Sequence, residues 1–114
     1  MKTEFLDTPR VFTVKGFDIY DRGKIHLEPQ EMVTFRTASG RECDFTATSW
    51  GFYLAPSLNS RLRKQGFKTA LVTNEHNQLF VNAVEEDKIE AFESYLQANQ
   101  NKIICWLDEW FGKE

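Results

Sequence analysis

Apolar and polar positions alternate in short runs along most of the chain, and this period of two predicts β-strands. The runs lie at 11–14, 17–20, 24–28, 32–37, 41–48, 67–73, 79–84 and 102–107. In the run at 41–48, Cys43, Phe45 and Ala47 share one face, and the polar residues at 44, 46 and 48 share the other. That run is therefore typical of a half-buried strand.

Turn signals separate these strands. "ASGR" at 38–41 predicts a hairpin turn between the runs at 32–37 and 41–48. "DRGK" at 21–24 predicts another turn, and Gly16 predicts a bulge or a bend within one long strand.

Two stretches change from a period of two to a helical period. One predicts a short helix over 56–65, with proline in its first turn and Gly66 just past its end. The other is "EEDKIEAFESYLQAN", in which Ile89, Phe92 and Leu96 form one apolar stripe.

From residue 43 onward the element order is strand, helix, strand, strand, helix, strand. This order, over about 65 residues, resembles the split βαβ, or ferredoxin-like, arrangement. We therefore predict an α+β fold with a mixed, mostly antiparallel sheet and two helices. A single domain at 1–114 would comprise a loose lead-in at 1–9, an N-terminal β segment at 10–42, a βαββαβ-like core at 43–107 and a tail at 108–114.

The predicted hairpin conflicts with this topology. In a split βαβ sheet the first strand is central, so the run at 41–48 could not also pair with 32–37 on the same edge. Either the N-terminal strands form a separate layer or the sheet order differs.

Composition narrows the class of protein. The chain has 114 residues, ten Phe and a net charge of -3, with acidic and basic residues interspersed. These values argue against disorder and disfavour nucleic acid as a partner, since duplex binding usually leaves a basic footprint. The start "MKTEFLDTPR" lacks the apolar run of a secretory signal, and "IICWL" is far shorter than a membrane span. We expect a cytoplasmic protein with no membrane partner.

The best candidate site is the aromatic corner "SWGFYLAPS" at 49–57. Trp50 and Tyr53 combine large apolar area with a polar tip, which is common at binding surfaces. Downstream residues could add hydrogen bonds and positive charge. The candidate binding residues are Trp50, Tyr53, Ser57, Asn59, Arg61 and Lys64. The alternative is that Phe52 and Leu54 close the core under the first helix and that Trp50 packs at the sheet edge.

Other residues carry weaker signals. Cys43 and Cys105 could form a redox pair if their strands were neighbours, but free cysteines are often buried as small apolar residues. Their spacing from each other and from the histidines matches no zinc motif, so we expect no metal and no cofactor. We expect Asp108 and Glu109 to be solvated charges.

The sequence favours a binding or accessory module that has no catalysis of its own and binds a protein segment or a small anionic ligand. One alternative is a small enzyme that draws on Asp44, Tyr53 or Cys43 at the same corner. Another is a structural homodimer subunit, in which the aromatic tail, including Trp110 and Phe111, either folds back or contacts a partner. An exposed Trp50 beside a cleft would favour binding.

Overall fold

The protein is a small α+β chain with antiparallel sheets, and its computed structural model describes residues 1–14 and 16–109. The strands are β1 (Lys2–Val14), β2 (Phe17–His26), β3 (Met32–Arg36), β4 (Glu42–Thr48), β5 (Gly51–Leu54), β6 (Phe67–Thr73), β7 (Leu79–Glu85) and β8 (Lys102–Trp106). The helices are α1 (Arg61–Lys64) and α2 (Ile89–Ala98), with 3-10 turns at Glu86–Lys88 and Leu107–Glu109.

The described strands form three sheets, ordered β1-β2, β3-β4-β5 and β7-β6-β8. The chain also divides into two compact units. The first unit is Met1–Phe35 with Asp44–Ala55, and the second unit is Arg36–Cys43 with Pro56–Glu114. The single-domain organisation stays a prediction.

The first unit begins with a long hairpin where the sequence predicted a loose lead-in. Residues 2–9 belong to β1, which pairs antiparallel with β2 from Lys2↔His26 to Val14↔Phe17. The predicted bend at Gly16 is instead the hairpin turn, where φ is +103°. Pairing with β2 orders the first residues, and the sequence of residues 1–9 alone does not predict this pairing.

The predicted turn at 21–24 is also wrong, because these residues lie inside β2. The register shifts between Phe5 and Arg10, so the extra residues of β1 bulge out there and accommodate Pro9. Gly23 faces this bulge with φ +120°, and a Cβ at that position would lie 2.0 Å from the carbonyl oxygen of Glu4. Close backbone approach, rather than a change of direction, explains this glycine.

The sheet β3-β4-β5 confirms the predicted hairpin and the predicted alternation in β4. Phe45 pairs with Leu54 and Ala47 with Phe52, so these four side chains share the apolar face. Phe35 packs edge-on against Phe45, with ring centroids 5.2 Å apart. Because opposite residues share a face and successive ones alternate, the polar residues of β4 lie on the other side.

The ferredoxin-like pairing predicted for 43–107 is not what the described strands form. β4 pairs with β3 and β5, whereas β6 lies between β7 and β8. The physical reason is β5, which the sequence analysis did not predict as a strand. Since β3 and β5 occupy both edges of β4, no edge of β4 is left for the later strands.

The core of the second unit forms between α2 and the central strand β6. Ala70, Val72 and Leu96 are buried together, and Phe92 and Trp106 pack against them. The apolar stripe predicted for α2 is thus confirmed at Phe92 and Leu96.

The first predicted helix is shorter than 56–65, since α1 covers only Arg61–Lys64. Ser57 holds a turn ahead of it: its carbonyl oxygen accepts the Leu62 N–H at 2.9 Å and its Oγ accepts the Arg61 N–H at 3.1 Å. Gly66, with φ +95°, ends the segment as predicted.

Asp108 fastens the chain after β8 to β6, and the prediction of a solvated charge is wrong for it. Its carboxylate is buried and accepts the Thr69 N–H and the Lys68 ammonium, each at 3.0 Å. Burial opposes ionisation and is the largest single influence on this carboxyl. The hydrogen bonds from Thr69 and Lys68 together outweigh it, so the pKa of Asp108 is lowered from its ordinary value.

We expect Asp108→Ala to lower the free energy of unfolding by about 1–3 kcal/mol, because it leaves the buried Thr69 N–H without an acceptor. The matched control is Glu109→Ala, which removes the other carboxylate on Lys68 but is 60% exposed in its side chain. That change should cost less than about 1 kcal/mol. Urea unfolding measures both, and equal losses would contradict the anchoring role.

The stabilisation that Asp108 provides should depend on pH. A lowered folded-state pKa stabilises the fold fully above the unfolded value of about 3.9, and this contribution is lost as pH falls through the folded value. The pKa values of Asp21, Glu31 and Asp87 are also lowered, by hydrogen bonds to their carboxylates. The informative quantity is therefore the difference between wild type and Asp108→Ala, which should shrink on acidification from neutral pH to below about pH 4. A constant difference would contradict the assignment.

Candidate functional site

The aromatic corner is exposed, and its backbone is held by hydrogen bonds. Trp50 is 72% exposed, Phe52 68% and Tyr53 45%. Thr48 fixes the turn between β4 and β5, because its Oγ1 accepts the Trp50 N–H at 3.3 Å and donates to the Gly51 carbonyl at 3.0 Å. The alternative in which Phe52 closes the core is therefore wrong.

Trp50 and Tyr53 stack on each other, with ring centroids 6.1 Å apart and planes 26° from parallel. The two rings therefore lie against each other, close to parallel. Gly51, the first residue of β5, has φ +143°, a backbone conformation that residues with a Cβ rarely adopt. The turn chemistry at Thr48 and Gly51 thus presents the indole to solvent.

β5 is an edge strand that carries aromatic side chains on both faces. In the described part of the chain, β4 is its only strand neighbour. The Ala55 N–H donates to the Asp44 carbonyl at 3.0 Å, which marks that pair as hydrogen-bonded. Antiparallel alternation then directs the N–H and C=O groups of Phe52 and Leu54 away from β4.

An apolar cleft of about 410 Å³ lies on the face of the sheet that carries Phe52. Its lining residues are Ile25, Phe35, Phe45 and Phe52. Sequence analysis placed Phe45 on the apolar face of its strand but did not identify the cleft. The signal was present, because Phe35 and Phe45 lie on the two arms of the predicted hairpin.

The remaining predicted site residues, Ser57, Asn59, Arg61 and Lys64, are exposed and belong to the second unit. The contact that the structure shows among the predicted site residues of the first unit is the stack of Trp50 on Tyr53. The helix α1 has only four residues, so its N-terminus adds no support for the small anionic ligand that the sequence analysis considered.

The residues of the enzyme alternative lie on both faces of the sheet β3-β4-β5, with Asp44 and Tyr53 on the polar face and Cys43 on the other. Asp44 accepts a hydrogen bond from the Thr34 hydroxyl at 2.6 Å on the polar face. Cys43 is half-buried and Cys105 is exposed. The interpretation as buried packing residues is thus wrong for Cys105. Within residues 1–14 and 16–109, no three His, Cys, Asp or Glu residues cluster as metal ligands.

Comparison of the chain with protein-family models, with curated proteins and with solved structures finds no match. None of the helices in the described ranges is long and apolar enough to cross a membrane. Toward the C-terminus, Trp106 packs on Phe92 with ring centroids 6.1 Å apart. Trp110 and Phe111, about which the sequence analysis offered two alternatives, lie outside the described residues.

We expect Trp50→Ala to change the free energy of unfolding by less than about 0.5 kcal/mol, since little of the side chain is buried. The chain offers a matched control in Trp106, which packs against the core of the second unit under Lys68. Trp106→Ala should cost on the order of 3 kcal/mol. Urea unfolding checks both, and a large loss from Trp50→Ala would show that the corner serves stability.

Proposed function

We propose that this protein is a binding module that recognises an extended segment of a partner protein along β5. The observation that carries the proposal is the exposure of three neighbouring aromatic side chains, Phe52 and Tyr53 on the short edge strand β5 and Trp50 in the turn just before it. Monomeric proteins rarely leave large adjoining apolar side chains in water unless they form an interaction site.

The recognition would use main-chain and side-chain contacts together. Outward N–H and C=O groups of Phe52 and Leu54 would pair with a strand added at the free edge of β5, while side chains of alternate residues meet the aromatic groups. Phe52 would contact one face of the added strand. The stacked Trp50 and Tyr53 would contact the other face and supply the rigid anchors that dominate many interfaces.

The surroundings support a protein segment over a charged small ligand or a substrate. The cleft beside Phe52 is lined by Ile25 and three Phe, without a titratable side chain in that lining. A catalytic pocket would need such a group with a displaced pKa. A cytoplasmic location belongs to the proposal and is supported by the low cysteine content of two in 114 residues, because small secreted folds usually carry several disulfides. Exposed Ser57, Asn59, Arg61 and Lys64 stay proposed as polar contacts.

Selection from a library of displayed random peptides against the immobilised full chain tests the proposal. We expect enriched peptides with aromatic or β-branched residues at alternate positions, because strand addition reads every second side chain. Trp50→Ala with Tyr53→Ala should weaken their binding at least tenfold without changing the urea unfolding midpoint. A library that yields no such peptides would count against the proposal.

The matched control is Leu79→Ser with Val81→Ser, which removes two exposed apolar side chains from β7 in the second unit. This variant should keep the affinity. Methylation of the peptide amides that face β5 should weaken binding at least tenfold, and methylation of the alternate amides should not. Equal effects of the two methylation patterns would contradict strand addition.

A further inference from the structure

The hairpin β1–β2 carries one apolar face near its turn. Antiparallel partners share a face, so the pairs Phe12↔Ile19 and Val14↔Phe17 lie on one side. These four side chains, Phe12, Val14, Phe17 and Ile19, form the apolar hairpin face. Three of them are nearly half exposed: Phe12 at 47%, Phe17 at 46% and Ile19 at 44%.

A two-stranded sheet is marginally stable in water unless something covers it. In the described part of the chain, β1 and β2 have only each other as strand neighbours. The opposite side near the turn exposes Val11 and Tyr20, at 52% and 55%. A two-stranded sheet cannot bury the side chains of its own faces. The hairpin would therefore gain stability from another surface that packs on one of them.

The first unit also contains an apolar cleft on which another apolar surface could pack. The cleft of Ile25, Phe35, Phe45 and Phe52 is apolar and has a volume of about 410 Å³. Each chain therefore carries both the apolar hairpin face and the apolar cleft. Two copies related by a two-fold axis would satisfy both at once, and two-fold dimers are the commonest oligomers.

The available area fits a stable dimer. A large apolar side chain that is about half exposed has on the order of 100 Å² left to bury. Three such side chains on the hairpin face and three in the cleft (Ile25, Phe35 and Phe52) give on the order of 600 Å² per copy, the lower end of the range for a stable interface. Packing two hairpin faces on each other would bury only about half of that area, so docking into the cleft is favoured.

The charges of the hairpin permit self-association. Its two strands carry four cations, Lys2, Arg10, Arg22 and Lys24, and four anions, Glu4, Asp7, Asp18 and Asp21. Arg10 pairs with Asp21 at 2.7 Å and lies over the Phe12 ring, 5.2 Å from its centroid. With equal numbers of cations and anions, the hairpins of two copies do not repel each other. Binding of nucleic acid would instead require an excess of positive charge.

We infer that the apolar hairpin face of one copy docks in the cleft of a second copy, so that two chains exchange hairpins reciprocally. This inference goes beyond the proposed function, because it concerns the hairpin and the cleft; the two sites share Phe52, whereas Trp50 and Tyr53 belong to the proposed function alone. It names a second copy of this chain as the occupant of the cleft.

Sedimentation equilibrium of the full chain at micromolar concentrations tests the inference. We expect a species of twice the 13.3 kDa chain mass, in equilibrium with monomer. Phe12→Thr with Ile19→Thr should raise the dissociation constant at least tenfold. The matched control, Val11→Thr with Tyr20→Thr, alters the other face of the same hairpin and should leave the constant unchanged.

Cross-linking gives a readout that does not depend on the stability of those variants. In a Cys43→Ser, Cys105→Ser background, a tagged chain with Phe12→Cys is mixed with an untagged chain with Phe52→Cys. A short thiol cross-linker should join the two chains, whereas Tyr20→Cys in place of Phe12→Cys should give little product. Products formed only between two Phe12→Cys chains would overturn docking in the cleft.

A wild-type chain that sediments as a monomer at every concentration would overturn the inference, as would a dimer unaffected by Phe12→Thr with Ile19→Thr. Neither result bears on peptide binding at β5, which is measured separately on Trp50 and Tyr53. Loss of peptide selection together with an intact dimer would in turn reject the proposed function and leave hairpin exchange standing.

Discussion

A two-stranded ribbon has no interior, and this constraint governs the first unit of the protein. β1 and β2 pair over most of their length, yet in the described part of the chain no third strand joins them. Of the eighteen large apolar side chains that are exposed in that part, fourteen belong to the first unit. Its backbone hydrogen bonds are formed, but its apolar area stays largely in water. The hydrophobic effect therefore favours any surface that covers this unit.

The second unit solves the same problem internally. The helix α2 covers one side of β6, where Ala70, Val72 and Leu96 are almost fully buried. The buried carboxylate of Asp108 holds the turn after β8 against β6, because it accepts hydrogen bonds from the successive residues Lys68 and Thr69. Removing one partner of such a group costs more than an exposed ion pair contributes, so this anchor resists local opening. The second unit therefore contributes the buried core around β6, and the proposed recognition concerns the first unit.

The sequence predicted the elements that carry their own period. Alternation in β4 assigned its two faces correctly, and the apolar stripe of α2 meets the core at Phe92 and Leu96. Features that depend on a distant partner escaped prediction. Residues 2–9 become a strand because β2 lies beside them, and β5 pairs because β4 has a vacant edge. The ferredoxin-like order failed for this reason, since element order does not specify which edges are occupied.

Exposure was the property of the aromatic corner that sequence could not decide. Trp50 and Phe52 suit a core as well as a surface, and the hydrogen bonds of Thr48 turn them outward. Since Phe52 and Tyr53 point to opposite faces of β5, one short strand can serve the cleft and the stacked pair independently. A second copy docked in the cleft would cover Phe52 and leave Tyr53 and the stacked Trp50, on the opposite face, open to a segment at the free edge of β5.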